Sequence, residues 1–423
     1  MSVKSWPRWA DMPEFHDLPE GWSIDLLTDH VDVTAGQSPP SETYNDKEDG
    51  MPFLQGCTEF GDTIPITRYW CSAPSKIAPK DSTLMSVRAP VGELNRADQV
   101  YAIGRGLAAI ITKGMNPDFL FYGLHRWRHS FQRLGQGSTF EAITARQIKQ
   151  VIVAVPQNID EQRRIAAALK LADDAIFKAK AELKAARELK LALMSALFSS
   201  GISSTRRTMK DTKLGRVPAD WSVTEIRSFW TSSANGLYVP ENQYGSGVPI
   251  VRIDTFNDGY FYTRDFKRIR IIPEEAQAFS LTAGDLLVNR VNSIPFLGKV
   301  VFVDRVDEFT VFESNMMRLR FETAEMAQYL AFYLSVPAVK KRIWAMGRPA
   351  VAQLSINQRD VGKFLVALPG KDERNEIIGA VIVAKEAEQC AGEKLAALEE
   401  MKKSLLQNLL TGKIRIPEEA IHG

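Results

Sequence analysis

The strongest constraint on this chain is that much of its pattern occurs twice. Leu18-Pro19-Glu20-Gly21-Trp22-Ser23-Ile24 returns as Val217-Pro218-Ala219-Asp220-Trp221-Ser222-Val223. Gly50-Met51-Pro52-Phe53-Leu54 returns as Gly247-Val248-Pro249-Ile250-Val251, and Val151-Ile152-Val153-Ala154-Val155-Pro156 as Phe364-Leu365-Val366-Ala367-Leu368-Pro369. Each copy then runs into a long helical pattern. In the first, Ile165, Leu169, Ala172, Ile176, Ala179, Leu183, Ala186, Lys190, Leu193 and Leu197 alternate steps of four and three. The second repeats it 212 positions later as Ile377, Val381, Ala384, Glu388, Ala391, Leu395, Leu398, Lys402, Leu405 and Leu409. Matches in the same order in both halves mark an internal duplication. Such a stripe, held over more than about four heptads, fits a helix of about 40 residues, roughly 60 Å long.

Neither helix is apolar all round, so each must bury its stripe. Its own copy is the natural partner. A polar linker and a globular unit separate the two helices, which favours an antiparallel pair. The alternative is that each helix packs only on its own globular unit. Asn158 followed by Glu161, and Gly370 followed by Glu373, predict capping-box starts. Gly201 and Gly412 predict the stops. The organisation expected is an N-terminal extension (1–17), a first domain (18–156), a helix (157–200), a linker (201–216), a second domain (217–369), a helix (370–412) and a tail (413–423). Short strands punctuated by Gly, Pro, Asn and Asp make both domains α+β, with a strand over 298–304 and a helix over 324–335.

The charge balance narrows the function classes. Lys and Arg number 53 against 51 Asp and Glu, and 45% of the 423 residues are hydrophobic, a globular composition. No apolar run approaches about 18 residues, so no membrane span is expected. The first residues also lack a signal-peptide stretch. Cys57, Cys71 and Cys390 are too few and too scattered for a disulfide framework or zinc site. Along the chain the balance breaks: residues 1–63 carry 3 basic and 13 acidic side chains, residues 64–157 carry 12 and 5, and residues 213–370 carry 19 and 16. Basic surface inside a balanced chain is what phosphate contact requires. It is also what an ordinary solvated face looks like.

Catalytic patterns are not found. The Gly-Lys pairs at 298, 362, 370 and 412 lead into Val, Phe, Asp and Ile, so none is a P-loop. Asn116-Pro117-Asp118-Phe119 lacks the second proline of an amino-methyltransferase loop and reads as a turn. His125 and His129, four apart, have neither an intervening Glu nor a third ligand. There is no Gly-x-Ser-x-Gly elbow. A duplicated chain of this kind reads as a reader or scaffold rather than an enzyme.

These residues resemble one family, the specificity (S) subunits of type I restriction–modification systems. The resemblance covers about residues 18–415. It rests on Pro19/Trp22 and Pro218/Trp221, on Leu214-Gly215-Arg216-Val217-Pro218, on residues 81–92 with their counterpart 284–290, and on Gly137-Ser138-Thr139 leading to Glu161-Gln162. The ending Leu409-Leu410-Thr411-Gly412-Lys413-Ile414 also fits. Two departures stand beside the second helix start: Glu373-Arg374 replaces Glu161-Gln162, and Gly347-Arg348-Pro349 lacks the Ser-Thr pair. The resemblance implies a non-catalytic, cytoplasmic, double-stranded-DNA-binding subunit with two tandem target-recognition domains separated by an antiparallel coiled coil. It implies two methyltransferase (M) subunits and restriction/translocase (R) subunits as partners. It places S-adenosylmethionine, ATP and Mg on those partners and no cofactor on this chain. A stand-alone nucleic-acid-binding scaffold is the alternative.

With two dissimilar domains, the target expected is bipartite and asymmetric, its half-sites about a helical turn apart or a multiple of that. Basic residues near turns or aromatics are the candidate DNA contacts. In the first domain these are Arg68, Lys76, Arg88, Arg96, Arg105, Arg126, Arg128 and Arg133. In the second they are Arg264, Lys267, Arg268, Arg270, Arg290, Lys340, Lys341, Arg342 and Arg348. The helix-pair seam expected is Ile165, Leu169, Ile176, Leu183, Leu193 and Leu197 against Ile377, Val381, Leu395, Leu398, Leu405 and Leu409.

Overall fold

The computed structural model describes residues 18–135, 142–202, 207–257, 260–261, 266–350 and 353–418. Within it are two compact units, residues 1–180 with 394–423, and residues 181–393.

In the first unit, the strands Trp22–Leu26 and Ile152–Pro156 pair antiparallel and tie the beginning of the domain to its end, Trp22 opposite Pro156. Between them lie two sheets. One is antiparallel, in the order Val31–Ala35, Leu107–Thr112, Thr83–Ser86, Leu94–Arg96. The other is mixed, in the order Tyr44–Asn45, Tyr69–Cys71, Met51–Leu54, Tyr101–Ile103, Ile77–Ala78. Strand Leu107–Thr112 reads as a continuous apolar run because both its faces are buried. Ala108 and Ile110 enter one core cluster, while Leu107 and Ala109 enter another, as the two-residue strand period requires.

Four helices follow: α1 (Pro117–Arg126), α2 (Arg128–Gly135), α3 (Ala145–Lys149) and α4 (Ile159–Ser200). The Asn116-Pro117-Asp118-Phe119 segment, expected to be a turn, starts α1. Asn116 caps the helix by accepting the Phe119 N–H at 2.9 Å, and Pro117 fills the first position, where no donor is needed. Because α1 stops at Arg126, His125 and His129 fall on different helices.

The second unit repeats this plan. Ser222–Glu225 pairs with Leu365–Leu368, and a four-stranded sheet runs Trp230–Asn235, Met316–Phe321, Leu286–Asn289, Val300–Phe302. A mixed sheet runs Lys267–Ile269, Tyr244–Val251, Val311–Phe312. Alternation again feeds two cores: Leu286 and Val288 face one cluster, Leu287 the other. Its helices are α5 (Ala324–Ser335), α6 (Pro337–Ala345), α7 (Gln358–Gly362) and α8 (Lys371–Leu409). The stretch expected to be a linker is partly folded. Met209–Thr212 and Gly215–Pro218 form a hairpin, turned by Gly215 at φ +88°.

The long helices are antiparallel within each unit. In the first, Ile165 and Leu169 near the start of α4 share a core with Leu409 and Leu410 at the end of α8, with Leu405 packed against them. In the second, Met194, Leu197 and Phe198 near the end of α4 share a core with Ile377 and Val381 near the start of α8. Those cores also contain domain side chains such as Phe119 and Tyr329. Helix–helix and helix–domain packing are therefore both present, where the sequence posed them as alternatives. Ile176 is buried on the stripe, whereas Leu183, Leu193, Leu395 and Leu398 are half-buried. The two lysines that interrupt the stripe meet acids on the opposite helix: Lys190 pairs with Glu388 and Lys402 with Asp173.

Candidate nucleic-acid interface

The domains are fixed to the helices by one motif used twice. Trp22 Nε1 donates to Glu161 Oε1 at 3.2 Å, and Arg415 donates to the same carboxylate at 3.0 and 2.6 Å. In the second unit, Trp221 Nε1 donates to Glu373 Oε2 at 3.0 Å, and Arg207 grips that carboxylate with two nitrogens, one at 2.9 Å. The expected capping-box acids thus turn to a tryptophan and an arginine instead, since charge-assisted, two-pronged bonds outcompete one backbone N–H. Gly201 and Gly412, at φ +78° and +69°, end the helices just before each arginine. The hydrogen bonds from Arg207 hold the Glu373 carboxyl below its ordinary range. The departure at the second helix start keeps the same links. Gln162 joins the Asn116 N–H to the Pro156 carbonyl, whereas Arg374 joins Glu325 to the Pro369 carbonyl.

At one end of the mixed sheet of the first unit, register collects four of the candidate cations. Leu54 lies beside Ile103 in parallel pairing, and Arg68 immediately precedes Tyr69, which pairs with Phe53. Lys76 accepts the Ile103 N–H through its carbonyl at 2.9 Å. Arg105 occupies the turn after this strand, and the Gly106 carbonyl beside it accepts the Val87 N–H at 2.9 Å, which brings Arg88 next to it. All four side chains are exposed. Among the described residues none of them forms an ion pair. Gly36 and Gly104 allow the chain to close here, since a Cβ on Gly36 would sit 2.2 Å from the Gly104 carbonyl oxygen. Two polar side chains outside the predicted set share this end. Gln55 Nε2 donates to Ser38 Oγ at 2.9 Å, and Gln37 is exposed beside them. A search for charge passes over both; their Gly36-Gln37 and Gln55-Gly56 settings are the available signal.

The equivalent end of the second unit is differently furnished. Lys267 pairs opposite Ile250, with its ammonium 6.0 Å from the Tyr244 ring centroid. Arg270, also exposed, lies at the other end of that sheet, where its backbone N–H donates to the Gln243 carbonyl at 2.9 Å. Arg290 donates to the Ser314 carbonyl at 2.9 Å, and Tyr238, at the position of Ser38, is 77% exposed. Tyr238 too lies outside the predicted set, since no cation stands near it in sequence.

Other candidates are committed to the fold. Arg96 pairs with Asp118 and stacks 4.0 Å from the Phe121 centroid, and Arg128 pairs with Glu93. Arg342 donates to the Leu365 carbonyl at 2.9 Å and lies over Phe364. Arg268 is paired with Glu308, and Arg348 with Asp360. Arg126 and Arg133 line a hollow with His129 beside Leu410, while Lys340 and Lys341 border an apolar cavity near α4 and α8. Arg264 lies outside the described residues, as do Ser138 and Thr139. Among the described residues, no group of three His, Cys, Asp or Glu is placed to hold a metal, and no helix is long and apolar enough to cross a membrane.

Two similar α+β domains, each stapled to a long helix and each ending in a differently decorated sheet edge, define a duplicated recognition protein. Residues 19–186 match the family model of the type I restriction modification DNA specificity domain. A putative type I restriction enzyme MjaX specificity subunit from Methanocaldococcus jannaschii is 36% identical over 193 residues, which are 45% of this chain and 45% of that protein. The EcoKI specificity subunit from Escherichia coli is 20% identical over 419 residues, 94% of this chain and 90% of that one. The fold is shared with the S subunit of the type I system from M. genitalium (TM-score 0.56, 14% identity, 93% of this chain and 96% of that one). Residues 19–186 thus match the DNA specificity domain of type I restriction–modification systems, and nearly the whole chain is similar to the specificity subunits of those systems.

Proposed function

We propose that this chain reads a bipartite, asymmetric DNA target, one half-site per domain, and performs no chemistry of its own. The reading is carried by the sheet end at which Arg68, Lys76, Arg88 and Arg105 gather in the first domain and by Lys267 and Arg290 at the matching end of the second. Exposed cations supply phosphate contacts that set register, while side chains aimed between them read base edges. Arg88 or Arg105 could pair bidentately with guanine, and Gln37 or Gln55 with adenine. Tyr238 would serve as an apolar contact for a thymine methyl. Two methyltransferase subunits and the restriction/translocase subunits would assemble on the chain, with S-adenosylmethionine, ATP and Mg held by them.

The test replaces Arg68, Lys76, Arg88 and Arg105 together with Ala in the intact chain, and measures duplex affinity across a salt series. Every phosphate that loses its cation should flatten the salt slope by about one. An unchanged affinity and slope would remove this edge from the interface. Modified-base sequencing of the source genome, with and without the gene, should show one split asymmetric motif losing its methylation.

A further inference from the structure

The second unit holds a cavity of about 190 Å³ that DNA reading does not use. Its inner surface is apolar. Met194 of α4, Phe332 of α5 and Val381 of α8 are buried there, and Trp344 of α6 forms one wall. The Trp344 indole N–H donates to the Leu297 carbonyl at 3.0 Å, so the ring is held in place and the cavity is preformed. The rim is cationic: Lys190 and Lys385 come from the long helices, and Lys340 and Lys341 from α6. Glu388 pairs with Lys190 from outside the lining, and among the described residues no acid lines the cavity itself.

Size and charge select the occupant. A cavity of about 150 Å³ accepts benzene, whereas sites for drug-sized ligands run to about 300–1,000 Å³. The space therefore takes one phenyl-sized group and is too small for a nucleotide. Duplex DNA presents anions but no protruding apolar group, so it would meet the lysines and leave the cavity empty. We propose that this cavity docks a polypeptide segment that inserts one aromatic side chain and sets acidic residues on either side of it against the lysines. A single aromatic anchor in a desolvated pocket is the arrangement that concentrates binding energy in an interface. This inference stands independently of the DNA-reading role.

The duplication adds a stoichiometric consequence. Superposing the helix caps Asn116 and Thr323 sets His125 where the second unit has Phe332. The 212-residue offset of the long helices sets Asp173 where the second unit has Lys385. In the first unit, Asp173 accepts from the Tyr122 hydroxyl at 2.7 Å and pairs with Lys402. A carboxylate and an imidazole thus replace a lysine and an apolar wall. Only the second unit suits an acidic segment, so the chain should bind one, not two.

The experiment titrates the full chain, 15N-labelled at its tryptophan indoles, with the peptide acetyl-Asp-Glu-Phe-Glu-Asp-amide. The Trp344 signal is assigned by its loss in Trp344→Phe. A saturable shift of that signal at one peptide per chain is expected, at least tenfold weaker when the central Phe is Ala or the four acids are Lys. Ser335→Trp, which fills the cavity, should abolish the shift while leaving duplex affinity unchanged. Lys340→Glu with Lys341→Glu should abolish it as well. The proposal is overturned if the Trp344 signal does not move, if the Ala peptide binds equally, or if the double charge reversal leaves peptide binding intact. Should the alanine set at the first sheet end leave DNA affinity unchanged while the peptide still binds, the DNA reading falls and the cavity assignment stands.

Discussion

Replacing Glu373 with Ala should destabilise the second unit by about 3 kcal/mol, and the structure allows the figure to be worked out. Trp221 is fully buried and gives its indole N–H to Glu373. Leaving such a donor unpaired costs about 1–3 kcal/mol. The Arg207–Glu373 pair has side chains 20% and 18% exposed, which places it between the surface and interior cases. Exposed pairs contribute about 0–1 kcal/mol, while breaking a fully buried one costs about 3–5. Arg207 keeps a second partner in Asp220, so the lower half of that interval applies. Urea unfolding followed by tryptophan fluorescence measures the loss. Glu373→Gln, which retains an acceptor for the indole, should recover part of it. In a cycle with Arg207→Met, the two losses should fall short of additivity by about 1 kcal/mol. A loss below about 0.5 kcal/mol, or strict additivity, would refute the view that one carboxylate joins the domain start, the segment after α4 and the start of α8.

Two other expectations concern this carboxylate and the seam of the long helices. Because Arg207 lowers the Glu373 pKa in the folded state, the ionised carboxylate stabilises the fold. That stabilisation is complete above the unfolded-state value near pH 4.3 and is lost as pH falls through the lower folded value; Asp220, also lowered by Arg207, acts in the same direction. The urea midpoint should therefore drop below about pH 4.5, less steeply in Glu373→Gln. Leu169 is fully buried between the first domain and the end of α8, so Leu169→Ala should cost about 2–5 kcal/mol, read by the same unfolding experiment. A loss comparable to that of an exposed leucine would mean that the stripe is not the seam.

The long helices are the most legible part of the chain, since a stripe with alternating steps of four and three has few other ways to be buried. The α5 range, Ala324–Ser335, is also readable from its apolar pattern. The Asn116-Pro117 helix start is mistaken for a turn because a cap followed by proline has the composition of one. Glu161 and Glu373 sit where capping acids sit; only the fold brings Trp22 and Arg415, or Trp221 and Arg207, within reach. The candidate interface is legible only as a supply of charge. Sorting Arg105 from Arg96 needs register and pairing: Arg105 stands exposed at a sheet end, whereas Arg96 is folded onto Phe121 and Asp118. Gln37, Gln55 and Tyr238 are invisible to a search for cations.

The two copies also separate what must stay from what is free to differ. Trp22 and Trp221, Glu161 and Glu373, and Gly201 and Gly412 occupy matching places, and each is tied to helix geometry or buried pairing. At the sheet end the matching places hold different chemistry: Gln37 against Leu237, Ser38 against Tyr238, Gln55 against Arg252, and Arg88 against Val291. These positions border turns that backbone bonds already fix, such as Gln37 N–H to the Ile103 carbonyl at 3.0 Å and Leu237 N–H to the Phe312 carbonyl at 2.8 Å. Their side chains can therefore change with little cost to the fold. If this end reads DNA, exchanging Gln37 and Ser38 for Leu and Tyr should alter the first half-site alone. Modified-base sequencing of cells carrying that variant would then show a split motif with one half changed and the other intact. A motif unchanged in both halves would place the readout elsewhere on the domain, and a motif lost in both would show that these residues support the fold after all.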